Sequence, residues 1–342
     1  MRGVLDAVAR IESGAFQSGS WQPEMLSSAS SRMRGCLRAP MRQADRAIDW
    51  VRDETASIVR KIRAADSAPG VRSRLFERSF VLYGAHEEQC LKGSPGQVLA
   101  KRDGAICIGT VNGGVWVSHL KSKGEPDAQT RTWHLSQLGN GGESSSAGLS
   151  SVDGIKLPAT QVLGPLLCGV PEAPMPIDAQ ADYRTFREIA YTEEANVGYL
   201  SFDFYNGTMS TAQCYRLRDA FLYARSRPTR VIVLLGGQDF WSNGIDLNAI
   251  EASSDPAAES WRNINAIDDL IVEILKTTCH LVIAGLRGNA GAGGPMLALA
   301  ADRVYAMSGV VLNPHYQAWG CMDQNTGPIH FRDGLALGGR WS

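Results

Sequence analysis

The spacing of apolar residues changes along the chain, and each change predicts a different kind of structure. In the first part, apolar side chains recur at a helical spacing and fall on one stripe: Ile48, Val51, Ile58 and Ile62. Trp50 lies close to this stripe and is expected to pack into it. Residues 66–70, which end in a Pro-Gly pair, stop the helical pattern. We therefore expect one helix that leads into the next part of the chain.

From about residue 80 the apolar period becomes two, which is typical of β-strands with one buried face. The pattern predicts short strands at 80–83, 97–100, 105–111 and 115–120. The dipeptides Asp103-Gly104 and Asn112-Gly113 favour tight hairpin turns between them. Residues 155–163 could return one more strand. Short antiparallel strands of this kind close naturally into a small β-barrel, which is the fold predicted for this part.

Beyond residue 184 the pattern alternates between the two periods. Strands are predicted at 197–202, 231–235, 281–284 and 303–305, and helices at 211–225, 258–276 and 294–301. Such alternation indicates an α/β fold with helices layered over a sheet. The longest helix would bury one face: Ile267, Leu270, Ile271, Ile274 and Leu275. A Pro-rich run at 171–176 stiffens the connection between the two parts and marks the domain boundary.

Composition narrows the class of protein. The chain is 44% hydrophobic and 20% charged, as in an ordinary globular protein, and its net charge of −1 gives no reason to expect nucleic acid or a membrane as partner. No apolar run reaches about 18 residues, and the N-terminus has no hydrophobic signal core. Seven cysteines without a C-x-x-C pair predict reduced, mostly buried thiols and neither a disulfide nor a metal site. A cytoplasmic location is expected.

Two glycine-containing runs carry the candidate chemistry. Residues 241–247 read Trp-Ser-Asn-Gly-Ile-Asp-Leu, and residues 288–294 read Gly-Asn-Ala-Gly-Ala-Gly-Gly. Each run follows a short apolar strand, and the second opens the predicted helix at its positive end. Two such turns can aim two backbone N–H groups at one point, as a site does when it holds the oxygen of a thioester carbonyl. The alternative is a pair of tight strand-to-helix turns without chemistry.

These two runs resemble the oxyanion-hole turns of the crotonase superfamily, which comprises enoyl-CoA hydratases and isomerases. The resemblance implies that Ile245 and Gly293 donate the N–H groups, that Gly244 and Gly294 shape the substrate site, and that the ligand is an acyl group on coenzyme A. Hydratases of that superfamily carry two glutamates where this chain has Met296 and Tyr316. Neither side chain can replace a carboxylate as acid or base at neutral pH, so an ordinary hydratase is not expected.

The wider pattern is similar to HypX-type (HoxX-type) hydrogenase maturation proteins, which fuse a formyltransferase to a crotonase-like domain. The runs that carry this resemblance are 260–266, 287–294 and 312–316 in the crotonase-like part. Upstream, residues 43–50 and 62–70 look like the end of a formyltransferase catalytic region and its link to a small β-barrel. Both parts occur in the order of the family, over roughly residues 1–320.

This resemblance implies a two-domain fold. A small antiparallel β-barrel, OB-like as at the C-terminus of formyltransferases, would be followed by an incomplete α/β crotonase-like ββα spiral. The implied domains are a formyltransferase remnant at 1–40, a linking helix at 41–70, the barrel at 71–168, the Pro-rich linker at 169–184, the partial crotonase-like domain at 185–316 and a divergent tail at 317–342. An incomplete spiral would leave these side chains uncovered: Ile267, Ile271, Ile274 and Leu299.

The family function implied is the synthesis of the carbon monoxide ligand of NiFe hydrogenase. The complete family protein would take a formyl group from formyl-tetrahydrofolate, pass it to coenzyme A and release carbon monoxide from formyl-CoA. Tyr316 is the side chain expected to assist. This chain lacks the Asn-x-His motif of formyltransferases and has Thr326 where the family has a glutamate, so it is expected to be a truncated and impaired form. The alternative is a non-catalytic protein that binds coenzyme A or acts as a scaffold. The hydrogenase maturation machinery is the expected partner.

Other polar residues near these runs are expected to have structural roles. Asp246 should hold its loop through an Asx-type hydrogen bond, and Asn243 should shape the same loop. His315 is expected to be a hydrogen-bonded structural side chain. Three further histidines form no ligand set and are assigned no role: His86, His119 and His134.

Overall fold

The structure is a computed structural model that describes residues 12–13, 39–122, 154–180 and 182–314. The chain separates into two compact units, Met1–Arg42 and Gln43–Ser342. Of the first unit, only residues 12–13 and 39–42 are described. The described part of the second unit contains three sheets. We call residues 43–170 the antiparallel half and residues 185–314 the α/β half.

The antiparallel half is built on one six-stranded sheet. Its elements are a 3-10 turn Ala44–Arg46, helix α1 Thr55–Ala64, strands β1 Val71–Leu75, β2 Arg78–Glu88, β3 Val98–Arg102, β4 Ala105–Gly109, β5 Gly114–Ser122 and β6 Lys156–Pro158, helix α2 Ala159–Leu163 and a 3-10 turn Gly164–Leu167. The strand order is β1-β2-β5-β4-β3, with β6 on β5, and all pairs are antiparallel. No pairing of β1 with β3 closes the sheet within the described strands, so the barrel stays a prediction.

The sequence pattern accounts for most of this half. Asp103 and Gly104 both have positive φ, as the predicted hairpin turn between β3 and β4 requires. Trp50 packs against the core, and its indole N–H donates to Ser73 Oγ at 3.0 Å. Val51 was expected on the helical stripe but is 74% exposed, because α1 begins only at Thr55.

In this half, one strand was shorter than predicted, and another was not predicted. Of the strand predicted at 155–163, only Lys156–Pro158 pairs with β5, and the chain then turns into α2. Strand β1, Val71–Leu75, was not predicted from the pattern. In β1 only the two end residues, Val71 and Leu75, are apolar and buried. A stretch of five residues with two apolar positions is too short to show an alternating pattern.

The α/β half contains two sheets. Its elements are β7 Ile189–Glu194, β8 Val197–Phe202, a 3-10 turn Tyr205–Gly207, α3 Thr211–Ser226, β9 Val231–Leu235, β10 Phe240–Ser242, α4 Leu247–Glu251, α5 Pro256–Leu275, β11 Leu281–Leu286, β12 Asn289–Gly291, α6 Gly294–Leu299, β13 Arg303–Ala306 and β14 Leu312–Asn313. The larger sheet has the order β13-β11-β9-β8-β7 and is parallel except for β7. The smaller sheet, β10-β12-β14, is parallel. Along the chain, one strand of the larger sheet and one strand of the smaller sheet are followed by a helix, and this ββα unit repeats.

Helices α3 and α5 pack against each other over the larger sheet. A capping box formed by Ser210 and Gln213 begins α3, and Asp255 caps α5 at the residue before a proline. The buried face of α5 was predicted correctly at four of five positions, since Leu275 is 40% exposed.

The expectation of uncovered apolar side chains in this half was wrong for three of four positions. Ile267, Ile271 and Ile274 are each at most 3% exposed, because they belong to one continuous core with strands β8, β9 and β11. Each buried isoleucine contributes roughly 1.5–3 kcal/mol. The described α/β half therefore has a closed core around its longest helix. Of the four side chains expected to be uncovered, Leu299 alone is half-buried.

The cysteine prediction was correct only in part. Cys107 and Cys214 are buried, and burial raises the pKa of each thiol to about 12. Three other described cysteines are exposed: Cys90, Cys168 and Cys279. All five are free thiols. Among the described helices, none has the length and apolar character needed to cross a membrane.

Candidate functional site

The two glycine-containing turns lie side by side. Strands β10 and β12 are parallel neighbours, with Ser242 opposite Ala290, and each turn follows the carboxyl end of one of them. A β-carbon built on Gly244 would lie 2.9 Å from the Gly293 nitrogen and 3.3 Å from its Cα. Gly244 also has a φ of +76°, which L side chains rarely adopt. The backbone approach at this point therefore requires glycine.

Two N–H groups in these turns are without a protein acceptor. Within the described part of the chain, neither the Ile245 nor the Gly293 N–H donates a hydrogen bond. The amides beside Ile245 are both used: Gly244 N donates to Ser242 Oγ at 3.1 Å, and Asp246 N donates to Met209 O at 3.2 Å. Ile245 is half-buried and Gly293 is buried. Free N–H groups in adjacent, glycine-relaxed turns are the donors that an oxygen with developing negative charge needs.

Gly294 fixes the contact between the second turn and β10. A β-carbon there would lie 2.0 Å from the Ser242 carbonyl oxygen. Helix α6 can therefore begin directly against the backbone of β10 only because residue 294 is glycine. The helix is shorter than predicted and ends at Leu299. Whether Gly244 and Gly294 contact a substrate stays a prediction.

A loop after β8 supports the first turn from the other side. The Asn243 backbone N–H donates to Gly207 O at 2.6 Å, and its side-chain amide donates to Asn206 O at 2.6 Å. Met209 N donates to Gly244 O at 2.8 Å. The loop-shaping role predicted for Asn243 is confirmed. The sequence did not predict this loop, because the loop supports the turn through backbone carbonyl groups, which every residue type has.

Buried polar side chains complete this support. Asn263, on α5, is fully buried, accepts from Asp246 N at 3.1 Å and donates to Met209 O at 3.0 Å. Asp246 caps α4 by accepting from the N–H groups of Asn248 and Ala249, which confirms its predicted structural role. Burial raises the pKa of Asp246, although these two hydrogen bonds oppose the rise.

The carboxylate positions of hydratases are occupied differently here. Met296, at the position where the resemblance implies the first glutamate, lies on α6 with 8% of its surface exposed. Four residues of the sequence-based predictions lie outside the described residues: His134, His315, Tyr316 and Thr326. Their predicted roles stay predictions.

A polar cleft of about 400 Å³ lies between the two halves of the second unit. It is lined mainly by charged and polar side chains, including Arg63, Asp66, His86, Glu188, Asp203 and Tyr205. Neither Ile245 nor Gly293 is among its lining residues. The cleft contacts the loop after β8 at Tyr205 and Asn206, and it contacts β10 at Phe240.

Several titratable side chains in the cleft have shifted pKa values, and Glu188 and His86 are two of them. Burial raises the pKa of Glu188 to about 7, although an ion pair with Arg216 and a hydrogen bond from Gln213 Nε2 at 2.8 Å oppose the rise. Burial lowers the pKa of His86 to about 4, so its ring, which packs on Phe186, is neutral at pH 7. Within the described residues, no group of three or more His, Cys, Asp or Glu side chains is arranged to hold a metal ion.

Comparison with known proteins places both halves among described families. Residues 40–137 match the formyl transferase C-terminal domain, and residues 193–326 match the enoyl-CoA hydratase/isomerase family. The hydrogenase maturation factor HoxX of Bradyrhizobium diazoefficiens is 42% identical over 317 residues, which are 93% of this chain and 49% of that protein.

Solved structures give the same result. The crystal structure of HypX from Aquifex aeolicus in complex with tetrahydrofolic acid is 44% identical, with a TM-score of 0.75, over 92% of this chain and 49% of that one. A doubly substituted variant of the same HypX is 43% identical, with a TM-score of 0.77, over 93% of this chain and 50% of that one. The chain thus spans about half the length of the relatives it matches.

Proposed function

Because the chain is a homologue of the HoxX and HypX hydrogenase maturation factors, we propose that it serves the maturation of a hydrogenase, with a coenzyme A thioester as ligand of its α/β half. The observation that carries the ligand assignment is the contact of Gly244 with Gly293, next to the Ile245 and Gly293 N–H groups, which donate no hydrogen bond to any described residue. A thioester carbonyl oxygen is an acceptor that two such donors suit.

The reaction we propose is the release of carbon monoxide from formyl-CoA. The formyl C–H bond and the C–S bond break, the carbon leaves as carbon monoxide, and the proton ends on the thiol of coenzyme A. No electrons are gained or lost overall. The N–H groups of Ile245 and Gly293 would polarise the formyl oxygen, and the Tyr316 phenol would donate a further hydrogen bond without ionising. The carbon monoxide would become a ligand of the NiFe hydrogenase. In the complete family protein, formyl-tetrahydrofolate would supply the formyl group.

We further propose that this chain performs the reaction slowly. The formyl proton needs an acceptor, and Thr326 stands where the family resemblance implies a glutamate. Met296 offers no replacement, because a thioether does not titrate. Met296 and Tyr316 stand where hydratases carry glutamates, and they argue against hydration of an enoyl-CoA, which needs a carboxylate to activate water.

The test begins with binding. The full chain would be titrated with coenzyme A and acetyl-CoA by calorimetry, together with the isosteric pair Gly293→Asn and Gly293→Asp. Both substitutions add the same bulk, but only the aspartate places a negative charge beside the carbonyl oxygen. We expect acetyl-CoA to bind the native chain, and the Asp variant to bind it at least tenfold more weakly than the Asn variant. If the native chain binds neither ligand, the assignment of a coenzyme A thioester is wrong.

Turnover is measured separately, as carbon monoxide trapped on haemoglobin after formyl-CoA is added. We expect slow release by the native chain. Release as fast as that of a full-length HypX would show that the chain is not impaired. A second candidate function, thioester binding without any reaction, is favoured by the retention of both glycine turns without a carboxylate at position 296 or 316. Tight binding of acetyl-CoA without any carbon monoxide would select it.

A further inference from the structure

Tyr205 connects the two halves of the second unit. It begins the 3-10 turn after β8 in the α/β half, but its ring packs on the antiparallel half. The ring stacks on His119 with centroids 4.4 Å apart and planes 27° from parallel. Its hydroxyl donates to Asp66 Oδ1 at 2.5 Å and accepts from Lys156 Nζ at 2.7 Å. The hydroxyl thus has both a donor and an acceptor in the other half.

The antiparallel half is shaped to receive this ring. A β-carbon on Gly84, whose φ is +61°, would lie 3.1 Å from Tyr205 Cδ2 and 1.9 Å from Ser118 Oγ. The Gly84 N–H also donates to the second oxygen of Asp66 at 2.9 Å, which fixes that carboxylate. Lys156 Nζ lies 3.9 Å from the centroid of the Tyr83 ring. We call Asp66, Gly84, His119 and Lys156 the Tyr205 cradle.

The Tyr205 hydroxyl is suited to holding a position and unsuited to proton transfer. Burial raises its pKa, and the hydrogen bond to Asp66 raises it further, so the phenol stays protonated. Burial also lowers the pKa of Lys156, but the charge of Asp66 opposes this. The proton on the phenol is already donated to Asp66, and its lone pair is occupied by Lys156.

The residues directly after Tyr205 hold the turn that carries Gly244. Asn206 and Gly207 both have positive φ, which turns their carbonyl groups toward Asn243. Two residues further, Met209 N donates to Gly244 O and Met209 O accepts from Asp246 N. These four hydrogen bonds lie on both sides of Ile245. A shift of the 205–209 loop would therefore move the Ile245 N–H.

We propose that Tyr205, held in its cradle by Asp66 and Lys156, is a positioning residue that fixes the Ile245 N–H for the carbonyl oxygen of the thioester. The antiparallel half then supports the thioester site through Tyr205, although none of its own groups binds the thioester. Donors to a developing oxyanion are effective only when they are held in place before the reaction. The proposal rests on the proposed thioester function, because it assigns the oxygen that Ile245 serves.

The test uses Tyr205→Phe in the full chain, which removes the hydroxyl and keeps the ring. The matched control is Tyr223→Phe, because the Tyr223 hydroxyl also donates to an aspartate, Asp178 at 2.6 Å, but from helix α3 and not from the 205–209 loop. Amide hydrogen exchange at Met209, Asn243 and Asp246 is measured by NMR, and dissociation constants for acetyl-CoA and coenzyme A are measured by calorimetry.

We expect exchange at these three amides to rise at least tenfold in Tyr205→Phe and to stay unchanged in Tyr223→Phe. Affinity for acetyl-CoA should fall about tenfold, while affinity for coenzyme A, which has no carbonyl oxygen at this place, should not change. A general loss of stability would weaken both ligands equally, and that outcome would overturn the proposal. Unchanged exchange at the three amides would overturn it as well.

If Tyr205→Phe does not fold, Lys156→Met and Asp66→Asn test the same cradle from its other side. Each is expected to raise exchange at the same amides, and unchanged exchange in both would overturn the proposal. Failure of the proposed function is distinguishable. A native chain that binds no acetyl-CoA refutes the thioester assignment and with it the role assigned to Ile245, whereas the exchange measurement still shows whether the cradle fixes the turn.

Discussion

Gly244 lies against Gly293 so closely that a β-carbon on Gly244 would stand 2.9 Å from the Gly293 nitrogen. The two residues belong to different turns, which meet because β10 and β12 are parallel neighbours. Within the described residues, neither the Ile245 nor the Gly293 N–H donates a hydrogen bond. From this contact we predict the effects of substitutions at Gly244 and at the residues that support its turn.

Gly244→Ala should weaken thioester binding more than it destabilises the fold. The substitution costs about 1–2 kcal/mol through the left-handed backbone alone, and the new methyl group also pushes on Gly293. Gly169→Ala is a matched control, since Gly169 has a φ of +83° and nothing within 4 Å of its β-carbon position. We expect similar backbone costs in urea unfolding, but at least a tenfold loss of acetyl-CoA affinity only in Gly244→Ala. Equal affinities in the two variants would contradict the prediction.

Asn263→Leu should destabilise the α/β half. Asn263 is fully buried and joins α5 to both Met209 and Asp246. Removing the amide leaves buried polar groups with fewer partners, which costs about 1–3 kcal/mol. Asn265→Leu is the control, because the Asn265 side chain is exposed and its amide donates only to Trp261 O on the same helix. The free energy of unfolding in urea checks this, and equal losses in both variants would refute it.

His119 should make the protein sensitive to acid. Its side chain is buried, and burial lowers its pKa to about 3, from 6.5 for a free histidine. Below pH 6.5 the unfolded chain therefore binds a proton that the folded chain does not bind until about pH 3. The contribution of His119 to the free energy of unfolding is fully present above pH 6.5. It falls as the pH decreases, by at most about 1.4 kcal/mol per pH unit.

We therefore expect His119→Gln to reduce the acid sensitivity. Between pH 7 and pH 5 the native chain should lose about 2 kcal/mol more than the variant. The free energy of unfolding in urea at the two pH values measures this difference. His86→Gln should act in the same direction, because burial lowers the pKa of His86 to about 4. Parallel losses in the native chain and in both variants would rule out this origin of acid sensitivity.

Arg216→Met should leave a buried carboxylate without its counter-ion. Arg216 pairs with Glu188, whose side chain is 3% exposed, and with Asp103 of the antiparallel half at 2.6 Å. Because the Arg216 side chain is 36% exposed, its removal should cost less than the roughly 3–5 kcal/mol typical of a fully buried pair. Without the arginine, the folded state favours protonated Glu188 more strongly than the unfolded state does. The loss should therefore be larger at pH 8 than at pH 5.

The double variant Glu188→Gln with Arg216→Met separates charge from packing. We expect it to be more stable than Arg216→Met alone at pH 8, since the unpaired charge is gone. Its stability relative to the native chain should also depend less on pH. Unfolding in urea at both pH values provides the measurement, and a double variant no more stable than the single one would show that packing and not charge causes the loss.

Local patterns in the sequence determined much of this protein. Strands β8 and β9 occupy the predicted ranges 197–202 and 231–235, and helix α3 differs from its prediction by one residue. These elements were predictable because their buried faces repeat at a fixed period. The two glycine turns resembled the crotonase superfamily, and further runs in both parts of the chain predicted the HoxX/HypX family, which the comparisons confirm.

Only the tertiary structure decided what surrounds these turns. The small sheet of β10, β12 and β14 consists of strands with two or three residues, too short to show a period. The Tyr205 cradle joins Asp66, Lys156 and His119 to a residue of the other half, and the buried pair of Glu188 with Arg216 was equally invisible. Each of these relationships depends on single side chains that are distant in sequence and meet only when the halves pack. A sequence pattern records which face of an element is buried, whereas the partner on that face is fixed by the packing of the whole chain.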